Sequence, residues 1–160
     1  MDQKIKKLRV SIDRGLKAMN TLQTVDDNRV YLDRAHYSLD LGKMWLGMVL
    51  KEMEVENPYP DSMDASNEKI APTADVSEDE SPFFMAGDTP IQRVKKLRQA
   101  SQDFVDEFWD EIKTSDLKWS YKANIALTNA YTNLVNCKLW LGMELGRIRD
   151  LQMNSEDGVA

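Results

Sequence analysis

The chain has 160 residues, 42% of them hydrophobic and 30% charged, with a net charge of −6. That supplies enough apolar material for one ordinary core and excludes collagen-like, wholly disordered and disulfide-stapled chains. The acidic balance speaks against a general nucleic-acid binder, and no apolar run approaches the roughly 18 residues of a membrane span.

The start, Met1 to Lys7, lacks the apolar stretch of a signal peptide. A single cysteine, Cys137, cannot form an internal disulfide, and a single histidine, His36, speaks against a zinc site. The expectation is a cytosolic, soluble chain without metal or other cofactor.

In chain order, Ile5, Leu8, Ile12, Leu16 and Met19 recur at helical spacing and predict a short amphipathic helix. Thr24-Val-Asp-Asp27 then offers caps for a long helix. In that helix Leu32, Leu39, Leu46 and Met53 lie seven apart, and Ala35, Gly42 and Val49 fill the other seam position. This is a heptad stripe alternating large and small residues, in which Gly42 and Cys137 are expected to let the short helices approach closely. Asn57-Pro58 is expected to end the helix, because proline disfavours helical geometry in the residue before it.

All five prolines follow, at Pro58, Pro60, Pro72, Pro82 and Pro90. The stretch from Glu56 to Asp88 carries many acids and one base, Lys69. Within it, 76–81 reads as solvated, whereas Phe83-Phe84-Met85 is apolar enough to dock on the helices. Val94, Leu97, Phe104, Val105, Phe108 and Ile112 then mark a second short helix, with Ser115-Asp116 as caps for a second long one. Its stripe is Leu127, Leu134, Leu141 and Ile148 with Ala130, Cys137 and Glu144. No alternating strand pattern of useful length occurs.

The front and back of the chain repeat each other. Ile5-Lys-Lys-Leu-Arg9 recurs as Val94-Lys-Lys-Leu-Arg98, and Lys43-Met-Trp-Leu-Gly-Met48 as Lys138-Leu-Trp-Leu-Gly-Met143. From 32–50 against 127–145, 9 of 19 positions are identical. The offset is 89 residues for the first motif and 95 for the second, so the back copy carries six extra residues between them. The predicted fold is all-α: two helical hairpins packed as a small bundle and joined by a proline-containing irregular crossover. The hairpins span 1–56 and 90–153, the crossover 57–89 and a tail 154–160.

No catalytic set is visible: no Gly-rich phosphate loop, no nucleophile beside a base, no Cys/His cluster. Asp106, Glu107, Asp110 and Glu111 cluster on a helix, but the front copy has no counterpart, so they are taken as a solvated face. The repeated bases stand out in an acidic chain. Lys6, Lys7 and Arg9 match Lys95, Lys96 and Arg98, and Lys43 matches Lys138. Lysine and arginine are the usual phosphate partners, and Trp45 and Trp140 lie beside the central lysines in sequence. An aromatic ring with a cation suits a nucleobase carrying a phosphate. His36 aligns with Tyr131, so a planar ring recurs there too. These twelve residues form the candidate ligand-binding set. The competing reading makes the tryptophans core and the lysines solvated edges.

The run Ala126-Leu-Thr-Asn-Ala-Tyr131 with Cys137-Lys-Leu-Trp-Leu-Gly142, and its front counterpart 32–50, resemble the helical-hairpin domain of phage anti-CBASS and anti-Thoeris sponges. Asn57-Pro-Tyr-Pro60 followed by Lys69-Ile-Ala-Pro-Thr-Ala-Asp75 resembles an extension in phage proteins of this type. The resemblance covers both hairpins, but only the Lys-x-Trp core and its surroundings match position by position, and the family's pocket tyrosines and arginines have no assigned counterparts here. It implies binding without catalysis: sequestration of cyclic oligonucleotide or cyclic ADP-ribose signals in the cytoplasm of the infected host. It also implies assembly through the hairpins, with pockets between subunits. The heptad stripes and the two-copy chain, with more apolar edge than one small bundle hides, predict a homo-oligomer, a trimer or dimer, and neither nucleic acid nor membrane is expected as partner. Two hairpins in one chain replace two subunits, so a six-hairpin ring needs only three chains. The alternatives are a non-catalytic helical adaptor for a host or virion protein and a metal-dependent nucleotide hydrolase built on the acidic helix.

Overall fold

The computed structural model describes residues 1–59 and 83–157, and most of those residues are helical, with no strand among them. The expectations for Pro60, Lys69, Pro72, Pro82 and the 76–81 run, and for 158–160, lie outside the described residues. Four helices carry the fold: α1 (Asp2–Thr21), α2 (Val30–Glu52), α3 (Pro90–Glu107) and α4 (Tyr121–Asp157). A π-helical segment, Phe108–Lys113, continues α3. α4 therefore runs past the boundary expected at 153 and takes up the start of the tail.

The helices close a ring in the order α1, α2, α4, α3, with the broadest contact between α2 and α4. Within each hairpin the helices are antiparallel: Lys43 meets Asp13 while Gly47 meets Arg9, and Lys138 meets Gln102 while Gly142 meets Arg98. Tyr31 stacked on Trp140, with Gly42 against Ala130, makes α2 and α4 antiparallel too. The two heptad stripes thus face each other within one chain. Leu32, Leu39 and Leu46 are buried against Leu127, Leu134 and Leu141, and Ile5, Leu8, Ile12, Val94, Leu97 and Phe104 close the core from α1 and α3.

The halves are related by a pseudo-two-fold axis. Gly15 and Phe104 occupy the same place in the repeat and meet each other, a Cβ on Gly15 falling 3.2 Å from Phe104 Cε2. Two phenylalanines there would collide and two glycines would leave a void, so the fused chain uses one of each.

Gly42 serves a different neighbour from the one expected. A Cβ on it would lie 3.1 Å from Leu134 Cδ2, so it admits α4, not α1. Cys137 does face its short helix, its Sγ lying 3.4 Å from Ser101 Oγ. Burial pushes its thiol up to about 12, against the opposing pull of the Ser101 contact. It is a packed residue.

The helix ends also depart from expectation. α2 has no side-chain cap and stops at Glu52, before Asn57-Pro58. Glu54 takes the left-handed conformation, φ 59°, while Glu54 N–H donates to the Lys51 carbonyl and Val55 N–H to that of Leu50. That closes the helix without proline. α4 is capped by Ser120, whose Oγ accepts from Ala123 N at 3.1 Å, instead of by Ser115-Asp116. α3 starts in a capping box between Thr89 and Gln92, with Pro90 in its first turn. The extra residues of the back copy lengthen its first helix through the π-helical segment and start α4 a turn earlier.

The described ends of the crossover are both docked. Phe83 and Phe84 pack against the core as expected, and Met85 is exposed. The Arg93 guanidinium lies 5.4 Å from the Phe84 ring centre. Asp88 Oδ2 accepts from Met85 N at 2.8 Å and from Lys96 Nζ at 2.5 Å.

Candidate functional site

The seam of each hairpin carries a row of bases, placed by the same register in both copies. In the first, Lys43 of α2 is buried and forms an ion pair with Asp13 of α1, without an aligned hydrogen bond to Asp13 Oδ1. One turn along, Arg9 lies over Gly47, where a Cβ would collide with its Nη1. Lys6 is buried one turn further, with its Nζ 3.8 Å from Asp2 Oδ2. Lys7 is exposed.

The second seam repeats the order with different chemistry. Lys138 donates to Gln102, the residue equivalent to Asp13. Arg98 sits beside Gly142, where a Cβ would be 3.5 Å from its Nε, an ordinary contact. Arg98 and Lys95 are exposed, and Lys96 is held by Asp88. The Asp88 carboxyl lies below its ordinary range, first because Lys96 bonds to it and then because of the Met85 N–H.

The expected pairing of each central lysine with the neighbouring tryptophan does not form. Residues two apart on a helix point about 200° apart, so they cannot share a face. Lys138 turns to α3, whereas Trp140 turns to α2, where Tyr31 stacks on it at 5.9 Å and the Arg34 guanidinium lies 4.7 Å from its ring centre. Lys43 turns to α1, and Trp45, half-buried against the core, points away from it. Across from Trp45 the repeat places Ala126 and Asn129 instead of Tyr31 and Arg34, so the aromatic–cation stack exists once.

The recurrent ring at His36 and Tyr131 plays two packing roles. Tyr131 holds the π-helical segment, 5.9 Å from the Phe108 ring and 5.6 Å from that of Trp109. His36 is half-buried, and its Nε2 has no hydrogen-bond partner among the described residues. The acidic cluster is spoken for in part: Glu111 meets Lys4 at 2.5 Å, and Asp106 accepts from Gln102 at 2.6 Å. Burial raises the Glu107 carboxyl above its ordinary value, opposed by Lys7.

Two features escaped the sequence. Arg9 is only 8% exposed, and its Nε has no partner among the described residues, while Tyr59 places its ring centre 5.4 Å from the guanidinium. A lysine-and-arginine run on an amphipathic helix gives no sign that one member is buried. The second is Arg147, which grips Glu144 and Asp26 bidentately at 2.7–2.9 Å and the Asn28 carbonyl at 3.1 Å. Glu144 is fully buried in the α4 stripe, and these contacts raise the Arg147 guanidinium further.

Comparison with protein-family models, curated proteins and solved structures finds no match to this chain.

Proposed function

We propose that the protein is a phage anti-defence sponge, binding cyclic nucleotide immune signals of the CBASS or Thoeris type in the infected cell without cleaving them. The observation that carries this reading is the row of cations along both hairpin seams in a chain of net charge −6. Three of them, Lys6, Arg9 and Lys43, are buried in the first hairpin. Such cations suit a compact, multiply charged anion, and a site ordered on folding spends little further entropy on binding. The hairpin resemblance supplies the class of signal, cyclic oligonucleotide or cyclic ADP-ribose type.

Self-assembly belongs to the same proposal. Tyr37, Met44 and Met48 of α2 and Leu139 and Met143 of α4 are exposed, and Met44 and Met48 correspond to Leu139 and Met143 in the repeat. Exposed apolar residues at helical spacing on both copies suit contact with another chain. They also suit a host or virion protein, the adaptor alternative. Equilibrium dialysis against a panel of cyclic dinucleotides, cyclic trinucleotides and cyclic ADP-ribose isomers separates the readings. The sponge depletes one class at micromolar protein; an adaptor depletes none.

A further inference from the structure

We propose that Arg9, Gly47 and Tyr59 form a seat for one phosphate group, present once per chain because the second hairpin has lost it. The identity of that phosphate as part of a cyclic nucleotide rests on the sponge reading; the anion seat does not.

Arginine stays charged at any physiological pH, and burying it normally requires a counter-ion or a full set of acceptors. Arg9 is 8% exposed, its Nε is buried without a partner, and it forms no ion pair among the described residues. The neighbouring carboxylate, Asp13, is taken by Lys43. What Arg9 does have is a place built for it. Gly47 lacks the side chain that would occupy the guanidinium's position, and the Tyr59 ring stands beside it at 5.4 Å. Tyr59 is itself held, its N–H donating to Asn57 Oδ1 at 3.0 Å. A planar fork of donors in a sheltered niche fits a phosphate oxygen pair.

The second hairpin keeps the arginine and the glycine but not the niche. Arg98 is exposed and has no close demand on Gly142. The counterpart of Tyr59 by the long-helix offset is Asn154, which lies inside α4. α2 stops at Glu52 and frees the following residues to turn back over Arg9, whereas α4 runs straight on to Asp157. Helix length, more than the cation itself, separates the two copies.

The matched substitutions Gly47→Ala and Gly142→Ala test this directly. Alanine is the better helix former, so Gly142→Ala should keep or raise Tm, while Gly47→Ala sets that gain against moving Arg9. Only the first displaces an arginine. The readout is the Arg9 Nε–Hε resonance of ¹⁵N-labelled full-length protein, assigned by its loss in Arg9→Gln, titrated with inorganic phosphate and separately with cyclic dinucleotides. The expected result is a saturable shift in wild type and in Gly142→Ala, with affinity at least about tenfold weaker in Gly47→Ala. No saturable shift with phosphate, or an equal affinity in folded Gly47→Ala, overturns the seat. Cyclic dinucleotide depletion untouched by Gly47→Ala overturns the assignment of the seat to a nucleotide phosphate, while leaving the sponge standing. A phosphate shift lost in Gly47→Ala, with no depletion of any cyclic dinucleotide, cyclic trinucleotide or cyclic ADP-ribose isomer of the dialysis panel, upholds the seat and defeats the sponge.

Discussion

At the residue scale, equivalent positions of the repeat act as internal controls. Lys43 and Lys138 are the same residue in the same register, yet one neutralises a carboxylate and the other bonds an amide. Lys43→Ala strands the half-buried Asp13 and should cost about 1–3 kcal/mol, whereas Lys138→Ala should cost roughly 0.5–1.5 kcal/mol. Urea denaturation of the two variants checks the order. These lysines were legible as a repeated feature, but their role was not. Sequence marks the face a residue occupies and not which neighbour covers it, so a seam cation that holds two helices together looks the same as one awaiting phosphate. The buried Arg9 was hidden for the same reason, since its niche depends on a glycine 38 positions away and on where α2 stops.

At the element scale, the stripes were legible, except that Met53 falls just past the end of α2, because period fixes which residues share a face. Leu32, Leu39, Leu127 and Leu134 are all in the core. What the pattern left open was the partner of each stripe, and so Gly42 was assigned to the wrong helix. The Asp26–Arg147 contact joins the loop before α2 to α4 across 121 residues, a distance no local pattern encodes. Its energetics follow from the buried Glu144, which stands where the other copy has Val49. Arg147→Ala leaves that carboxylate buried and unpaired and should cost about 3–5 kcal/mol. Glu144→Val should cost less, and the double variant should recover most of the loss in the same urea titration.

The ends of the elements also set the acid response. Asp26, Asp88 and Glu111 are held below their ordinary values, chiefly by hydrogen bonds from Arg147, Lys96 and Lys4 respectively. Their contribution is whole above ordinary values of 3.8 for the aspartates and 4.5 for the glutamate, and is lost as pH falls through the lowered native ones. Glu107, raised by burial, acts in the opposite sense: its contribution is present at low pH and lost as pH rises. With three groups against one, Tm should decline between roughly pH 5 and pH 3. A flat profile across that window would place these ion pairs outside the folding balance.

At the scale of the whole molecule, one chain does the work of a symmetric pair of hairpins. The stripes that suggested an oligomer are consumed inside the chain, so the proposed assembly rests on outer residues, among them Tyr37, Met44, Met48, Leu139 and Met143. Light scattering at micromolar protein should give a small multiple of the chain mass, and Met44→Lys with Leu139→Lys should return it to a single chain without unfolding. The central claim, capture without turnover, is tested most directly by mass balance. Protein is incubated for hours with the cyclic nucleotide it depletes, heated to unfold it, and the supernatant resolved by chromatography. The account predicts that all of the depleted ligand returns intact and in its cyclic form. Recovery of linear or cleaved nucleotide would contradict it.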